Sequence, residues 1–133
     1  MNMQQYQKLA VGTEVTNYSK LAQNFSSRFI LRLIHAAMGI TTETGEFMST
    51  LKKHVIYDVP LDKVNLIEEL GDLLWYITIA IDALGTDMED IMVRNIANLH
   101  KRYPKAFNTQ DAALRNLQQE RDALLNPKYN HGK

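Results

Sequence analysis

The chain has 133 residues, with 15 Lys plus Arg against 15 Asp plus Glu and a formal net charge of 0; displacing the counterions of a nucleic acid polymer needs surplus cations, so that class of partner is excluded. No Cys is present, which rules out a disulfide scaffold, a thiolate metal site and a Cys nucleophile. Hydrophobic residues make up 45%, as in a globular domain, and the most apolar stretch, residues 73–81, is too short to span a bilayer; with no signal-peptide pattern at the start, the expectation is a single domain over 1–133, cytoplasmic and without a membrane partner.

In chain order, residues 2–15 allow a first helix with Tyr6, Leu9 and Ala10 on one side, and 16–27 is polar and ambiguous. From Arg28, the positions Ile30, Leu33, Ile34, Ala37, Met38, Met48 and Leu51 follow helical spacing, which predicts a helix over 28–54. Residues 55–60 form a connection, because Pro60 disfavours helix in the residue before it. Next, Ile67, Leu70, Leu74, Ile77, Ile81 and Leu84 step by 3, 4, 3, 4 and 3, with Asp62 as N-cap and Gly85 as the glycine that ends the helix. Thr86 with Glu89 offers a capping box for a further helix ending at Tyr103, before Pro104. Asn108 or Thr109 opens a last helix over 109–125, and 126–133 reads as a loose tail. No segment alternates as a strand. The expected fold is all-α, an antiparallel four-helix-type bundle with an additional C-terminal helix. The helix around Trp75 is apolar on nearly every side, which predicts a homo-oligomer with this helix near the subunit interface.

At about 100° per residue, Glu69 falls inside that apolar arc, between Leu73 and Tyr76, and Asp72 stands at its edge. The helix over 28–54 repeats the arrangement: Glu43 and Glu46 are three apart, and Glu43 lies among Ala36, Ile40 and Phe47. Four inward carboxylates repel one another and raise each other's pKa. A hard divalent cation relieves this, and carboxylate oxygens suit Mg²⁺, or Mn²⁺. The competing reading is structural pairing with Arg32, Lys52, Lys53 or Lys63. Gly45 and Gly71 sit mid-helix inside the acidic pairs, which predicts close approach of the two helices there. His35, about three turns before Glu46, is expected to cap the pocket or face solvent rather than bind metal. Of Trp75 and Tyr76, Trp75 is the expected packing residue.

The segment His35-Ala-Ala-Met-Gly-Ile-Thr-Thr-Glu43-Thr-Gly-Glu46-Phe, followed by Glu68-Glu69-Leu-Gly-Asp72-Leu-Leu-Trp75-Tyr76, resembles the MazG-like all-α nucleoside triphosphate pyrophosphohydrolases, whose pattern is EExxE, a spacer and ExxD. Residues 95–104, Asn95 through Arg102-Tyr103-Pro104, resemble that family's third block, NxxKxxxRYP. The resemblance implies a catalytic core over about 28–107 that hydrolyses an NTP or dNTP to the monophosphate and pyrophosphate. It implies that Glu43, Glu46, Glu69 and Asp72 bind Mg²⁺, that Glu43 or Glu46 orients or deprotonates the attacking water, that Tyr76 helps form the nucleotide pocket, and that Asn95 and Arg102 reach the phosphates. A tetramer is favoured over a dimer. Two positions depart from the pattern. Thr42 replaces the first Glu of EExxE, and Asn98 replaces the phosphate-binding Lys, for which Lys53, Lys101 or Lys105 is a substitute. A non-catalytic helical interaction module and a related phosphoribosyl-nucleotide pyrophosphatase are the alternatives.

Overall fold

The computed structural model describes residues 1–127 and is helical throughout, with no strand among the described residues. The predicted tail lies outside the described residues from position 128 onward. The chain divides into two compact units, Met1–Tyr76 and Ile77–Lys133.

The first unit opens with α1 (Met3–Val11), where Asn2 and Gln5 form a reciprocal capping box. It is followed by α2 (Tyr18–Phe25), inside the stretch that periodicity left ambiguous. The segment forms a helix because the Asn17 side chain caps it, accepting from the Lys20 N–H at 3.0 Å, and because the helix packs on α3. α3 runs Arg28–Tyr57, three residues further than predicted. It stops where Asp58 adopts the left-handed region, φ 55°, a conformation Asp tolerates better than most residues. The His54 ring closes this end, its Nδ1 2.9 Å from the Val59 carbonyl.

α4 (Lys63–Ala83) begins as expected, with Asp62 Oδ1 accepting from the Asn65 N–H at 3.0 Å. Its first part packs on α3 through three levels: Tyr76 against Gly39, Glu69 and Asp72 against Glu43, and Asn65 against Thr50. As one helix is followed forward the other is followed backward, so the two are antiparallel. Of the apolar stripe of α4, Ile81 is buried, whereas Ile67, Leu70 and Leu74, with the neighbouring Trp75, are at least half exposed in the single chain.

In the second unit α4 ends at Gly85, φ 70°, which supplies the positive φ expected of it. The N-cap of α5 (Met88–Arg102) is Asp87 rather than Thr86. Asp87 Oδ1 accepts from the Asp90 N–H at 2.8 Å, and Thr86 instead donates its hydroxyl to the Asp90 side chain at 2.9 Å. The predicted last helix is two: α6 (Thr109–Ala113) and α7 (Leu117–Leu125). The break falls where Asn116 turns its side chain to cap α7, accepting from the Gln119 N–H at 3.1 Å. α7 packs on α5. Two arginines tie them: Arg94 bridges Asp90 and the Leu124 carbonyl, and Arg102 reaches the buried Glu120.

Candidate metal centre

The α3–α4 seam is polar. On α4 the residues facing α3 are Asn65, Glu69, Asp72 and Tyr76, spaced 4, 3 and 4. On α3 they include Gly39, Glu43 and Thr50, at a spacing compatible with the same helical face. This is the spacing that keeps one stripe of a helix on a neighbour. It carries carboxylates and their partners where an ordinary helix pair carries leucines.

Glu43, Glu69 and Asp72 each bring one carboxylate oxygen within 4.8 Å of the other two. Glu69 is buried, 3% exposed, Glu43 is half-buried and Asp72 is exposed. Burial pushes the Glu69 carboxyl above its ordinary pKa; the Asn65 amide pulls it back, and the carboxylates of Glu46 and Glu43 raise it again. Glu46 is therefore close enough to act on Glu69 but stands outside the group of three. It is exposed.

The ion pairs Arg94–Asp90, Arg102–Glu120 and Arg115–Glu120 involve none of these four acids. No cation figures among the groups that shift the Glu69 carboxyl. Three hard oxygen donors on two helices, one of them buried and short of positive charge, match the demands of Mg²⁺ or Mn²⁺.

Around the carboxylates the seam is closed by hydrogen bonds. Asn65 Nδ2 donates to Glu69 Oε1 at 2.8 Å, and the Thr50 hydroxyl donates to Asn65 Oδ1. Neither residue was singled out from the sequence. The signal was the same spacing carried one turn further: Asn65 lies four before Glu69, and Thr50 four after Glu46. Thr42, in the place of a glutamate, puts its hydroxyl 3.2 Å from Glu43 Oε1 and 2.9 Å from the Gly39 carbonyl.

The expected close approach occurs at a different glycine. A Cβ on Gly39 would run into the Tyr76 ring, whereas Gly45 and Gly71 have no described atom within 4 Å of a Cβ. Tyr76 is the packed ring, seated on Gly39 with the exposed His35 edge-on at 5.6 Å, and Trp75 is 56% exposed in the single chain. The bare glycine backbone lets the phenol lie flat on α3.

The other expected substrate residues lie elsewhere. Lys53 is exposed on the last turns of α3. In the second unit, Asn95 is exposed on α5. Asn98, where the resemblance expects a lysine, buries its Oδ1 with no hydrogen-bond partner among the described residues. Arg102 directs Nε and Nη2 to the Glu120 carboxylate, at 3.3 and 2.6 Å, and Arg115 meets the same carboxylate at 3.1 and 2.7 Å. Glu120 was not anticipated, because nothing local marks its position on a short polar helix.

No curated protein and no solved structure matches the chain. The family model for the MazG nucleotide pyrophosphohydrolase domain matches residues 34–107, more than half of the chain and a span that contains all four acids together with the 95–104 block. The chain belongs to the MazG nucleotide pyrophosphohydrolase family.

Proposed function

We propose that the protein is a Mg²⁺-dependent nucleoside triphosphate pyrophosphohydrolase, a hydrolase acting on an acid anhydride, that converts an NTP or dNTP to the monophosphate and pyrophosphate. The observation that carries this reading is the convergence of Glu43, Glu69 and Asp72 within 4.8 Å, inside the segment that matches the family.

In this reading Glu43, Glu69 and Asp72 hold the metal, with Glu46 beside them. Bound Mg²⁺ supplies charge neutralisation at the phosphate oxygens and lowers the pKa of a coordinated water. Glu46 is exposed and outside the group of three, which suits it to orient the attacking water and take its proton; Glu43, the other candidate for this step, is committed to the carboxylate cluster. Tyr76 forms a wall of the nucleotide pocket, held in place by Gly39 and His35. Asn95 and Arg102 take substrate phosphates. A guanidinium has five donors and Arg102 uses two on Glu120. Arg115 shares the Glu120 carboxylate with Arg102, so two guanidinium groups face one carboxylate there. Lys53 is the substitute proposed for the lysine missing at Asn98.

We further infer a homo-oligomer, a tetramer rather than a dimer. The exposed Ile67, Leu70, Leu74 and Trp75 of α4 support it, since water-facing apolar rows of this length are interface surface. Light scattering is expected to give a multiple of 15.3 kDa, and a monomer mass would remove this part.

The catalytic reading is tested by incubating the full chain with standard and modified NTPs and dNTPs, with and without Mg²⁺. Release of pyrophosphate with the monophosphate, only when metal is present, is expected. Release of inorganic phosphate in its place, or no turnover of any nucleotide, would overturn it.

A further inference from the structure

A hydrogen-bonded chain of three polar side chains, half-buried at its middle and buried at both ends, leads from α3 to the carboxylate cluster. Thr50 is 6% exposed and Glu69 3% exposed, and Asn65 lies between them. The Thr50 hydroxyl donates to Asn65 Oδ1, and Asn65 Nδ2 donates to Glu69 Oε1 at 2.8 Å. The Asn65 backbone is fixed as well, its N–H on Asp62 Oδ1 at the first turn of α4.

A side-chain amide has two unlike ends, and which end faces a carboxylate decides whether the contact attracts or repels. The Glu69 carboxylate settles this choice here: it only accepts, so the –NH₂ end points at Glu69, and the Thr50 hydroxyl holds the carbonyl end that remains. An amide N–H only donates. It therefore fixes one oxygen of the Glu69 carboxylate and leaves the remaining lone pairs for a cation shared with Glu43 and Asp72. Groups that orient metal ligands from behind commonly matter 10–100-fold for metal affinity.

We propose that Asn65 is a positioning residue of the metal centre, and that Thr50, from the opposite helix, anchors its amide by the carbonyl end. The proposal rests on the metal-site reading of Glu43, Glu69 and Asp72. It adds two residues that touch neither metal nor substrate, and it makes the α3–α4 register part of the ligand geometry.

The test is Mn²⁺ binding to the full chain, followed by the electron paramagnetic resonance signal of free Mn²⁺, which needs no turnover. Asn65→Leu keeps the side-chain shape and removes the donor; its Mn²⁺ affinity is expected to fall about 10–100-fold, with helical circular dichroism unchanged. Thr50→Val removes the hydroxyl at constant shape, and an intermediate loss of about 3–10-fold is expected, since the amide keeps its donor but loses its anchor. Thr50→Ser restores the hydroxyl and is expected to bind within about twofold of wild type. A purely structural role would lower the melting temperature of Asn65→Leu and Thr50→Val and leave their Mn²⁺ affinities alone, and that result would overturn the proposal. Should Asn65→Leu fail to fold, Thr50→Val against Thr50→Ser decides the question by itself. A wild-type chain that binds no Mn²⁺ overturns the metal-site reading and this proposal with it, whereas wild-type binding with unaltered variants overturns this proposal alone.

Discussion

Two buried glutamates, one in each unit, stand in opposite electrostatic settings. Glu69 on α4 is 3% exposed and has carboxylates for neighbours; Glu120 on α7 is 5% exposed and has two guanidinium groups. Burial and surrounding acids hold the Glu69 carboxyl above its ordinary range. The hydrogen bonds from Arg115 and Arg102 take Glu120 down to about 2. Equal burial of the same residue type thus leads to an unsatisfied site in one case and to a clamp between helices in the other. The neighbours decide which. A carboxylate already neutralised has little left to offer a cation, and one crowded by its own kind has every reason to take one.

The strongest way to break this contrast is to remove each charge in turn. Glu69→Gln or Asp72→Asn is expected to lower Mg²⁺-dependent pyrophosphate release by orders of magnitude while the helical circular dichroism persists. The metal-free Glu69→Gln chain should melt no lower than wild type, because the substitution removes an uncompensated buried charge. Glu120→Gln should behave in the opposite way. Two guanidinium groups lose their shared counter-charge, and the melting temperature is expected to fall by about 5 °C. If both variants melt alike, the two glutamates are not different in kind.

A second effect, smaller and continuous, is the pH dependence of stability. The folded-state pKa of Glu120 lies below its unfolded value, so its contribution is complete above the ordinary carboxylate range and is lost as pH falls toward about 2. The Glu69 pKa is raised, so in metal-free protein its charging costs stability as pH rises from 4.5 through the raised value. Melting curves from acid to neutral pH should therefore show a weaker acid limb in Glu120→Gln, with the part due to Asp90 remaining, and a weaker neutral-side decline in Glu69→Gln. Added Mg²⁺ is expected to stabilise wild type more at neutral than at acid pH, because protons compete for its ligands. An equal shift at both pH values would contradict the assignment of Glu69.

The smallest expected effects are at the glycines. Gly39→Ala forces the Tyr76 ring off α3, an overpacking that typically costs about 1–3 kcal/mol. Gly71→Ala meets open space in the single chain and, by helix propensity, should stabilise by up to about 1 kcal/mol. Thermal melts of the two variants give the comparison directly; destabilisation by Gly71→Ala would mean that another surface packs there.

Much of the fold was legible from local pattern. Helix periodicity located α3, α4 and α5, because a 3.6-residue repeat of apolar positions is written in the chain itself. Asp62 and Gly85 were readable as helix ends because capping is a contact across a few residues. Elements held by less local cues were harder. α2 places Tyr18, Leu21, Ala22 and Phe25 at helical spacing, but over only two turns inside a polar stretch, and its cap, Asn17, was not recognised. The division between α6 and α7 depends on Asn116, whose capping role competes with simple helix continuation.

For the candidate centre, sequence alone determined that the acids sit in i, i+3 pairs on helices, with Glu69 on an arc too apolar for a lone charge. The family pattern is likewise a property of residue order. Only the tertiary structure decided which face of α4 meets α3, and so which residues converge. It put Asn65 and Thr50 behind Glu69, chose Gly39 over Gly45 and Gly71 as the point of close approach, and gave Arg102 to Glu120. The physical reason is that helical spacing says which side chains share a face, whereas partners across a seam depend on the register between two helices. That register is set by the sum of many contacts and is encoded at no single position.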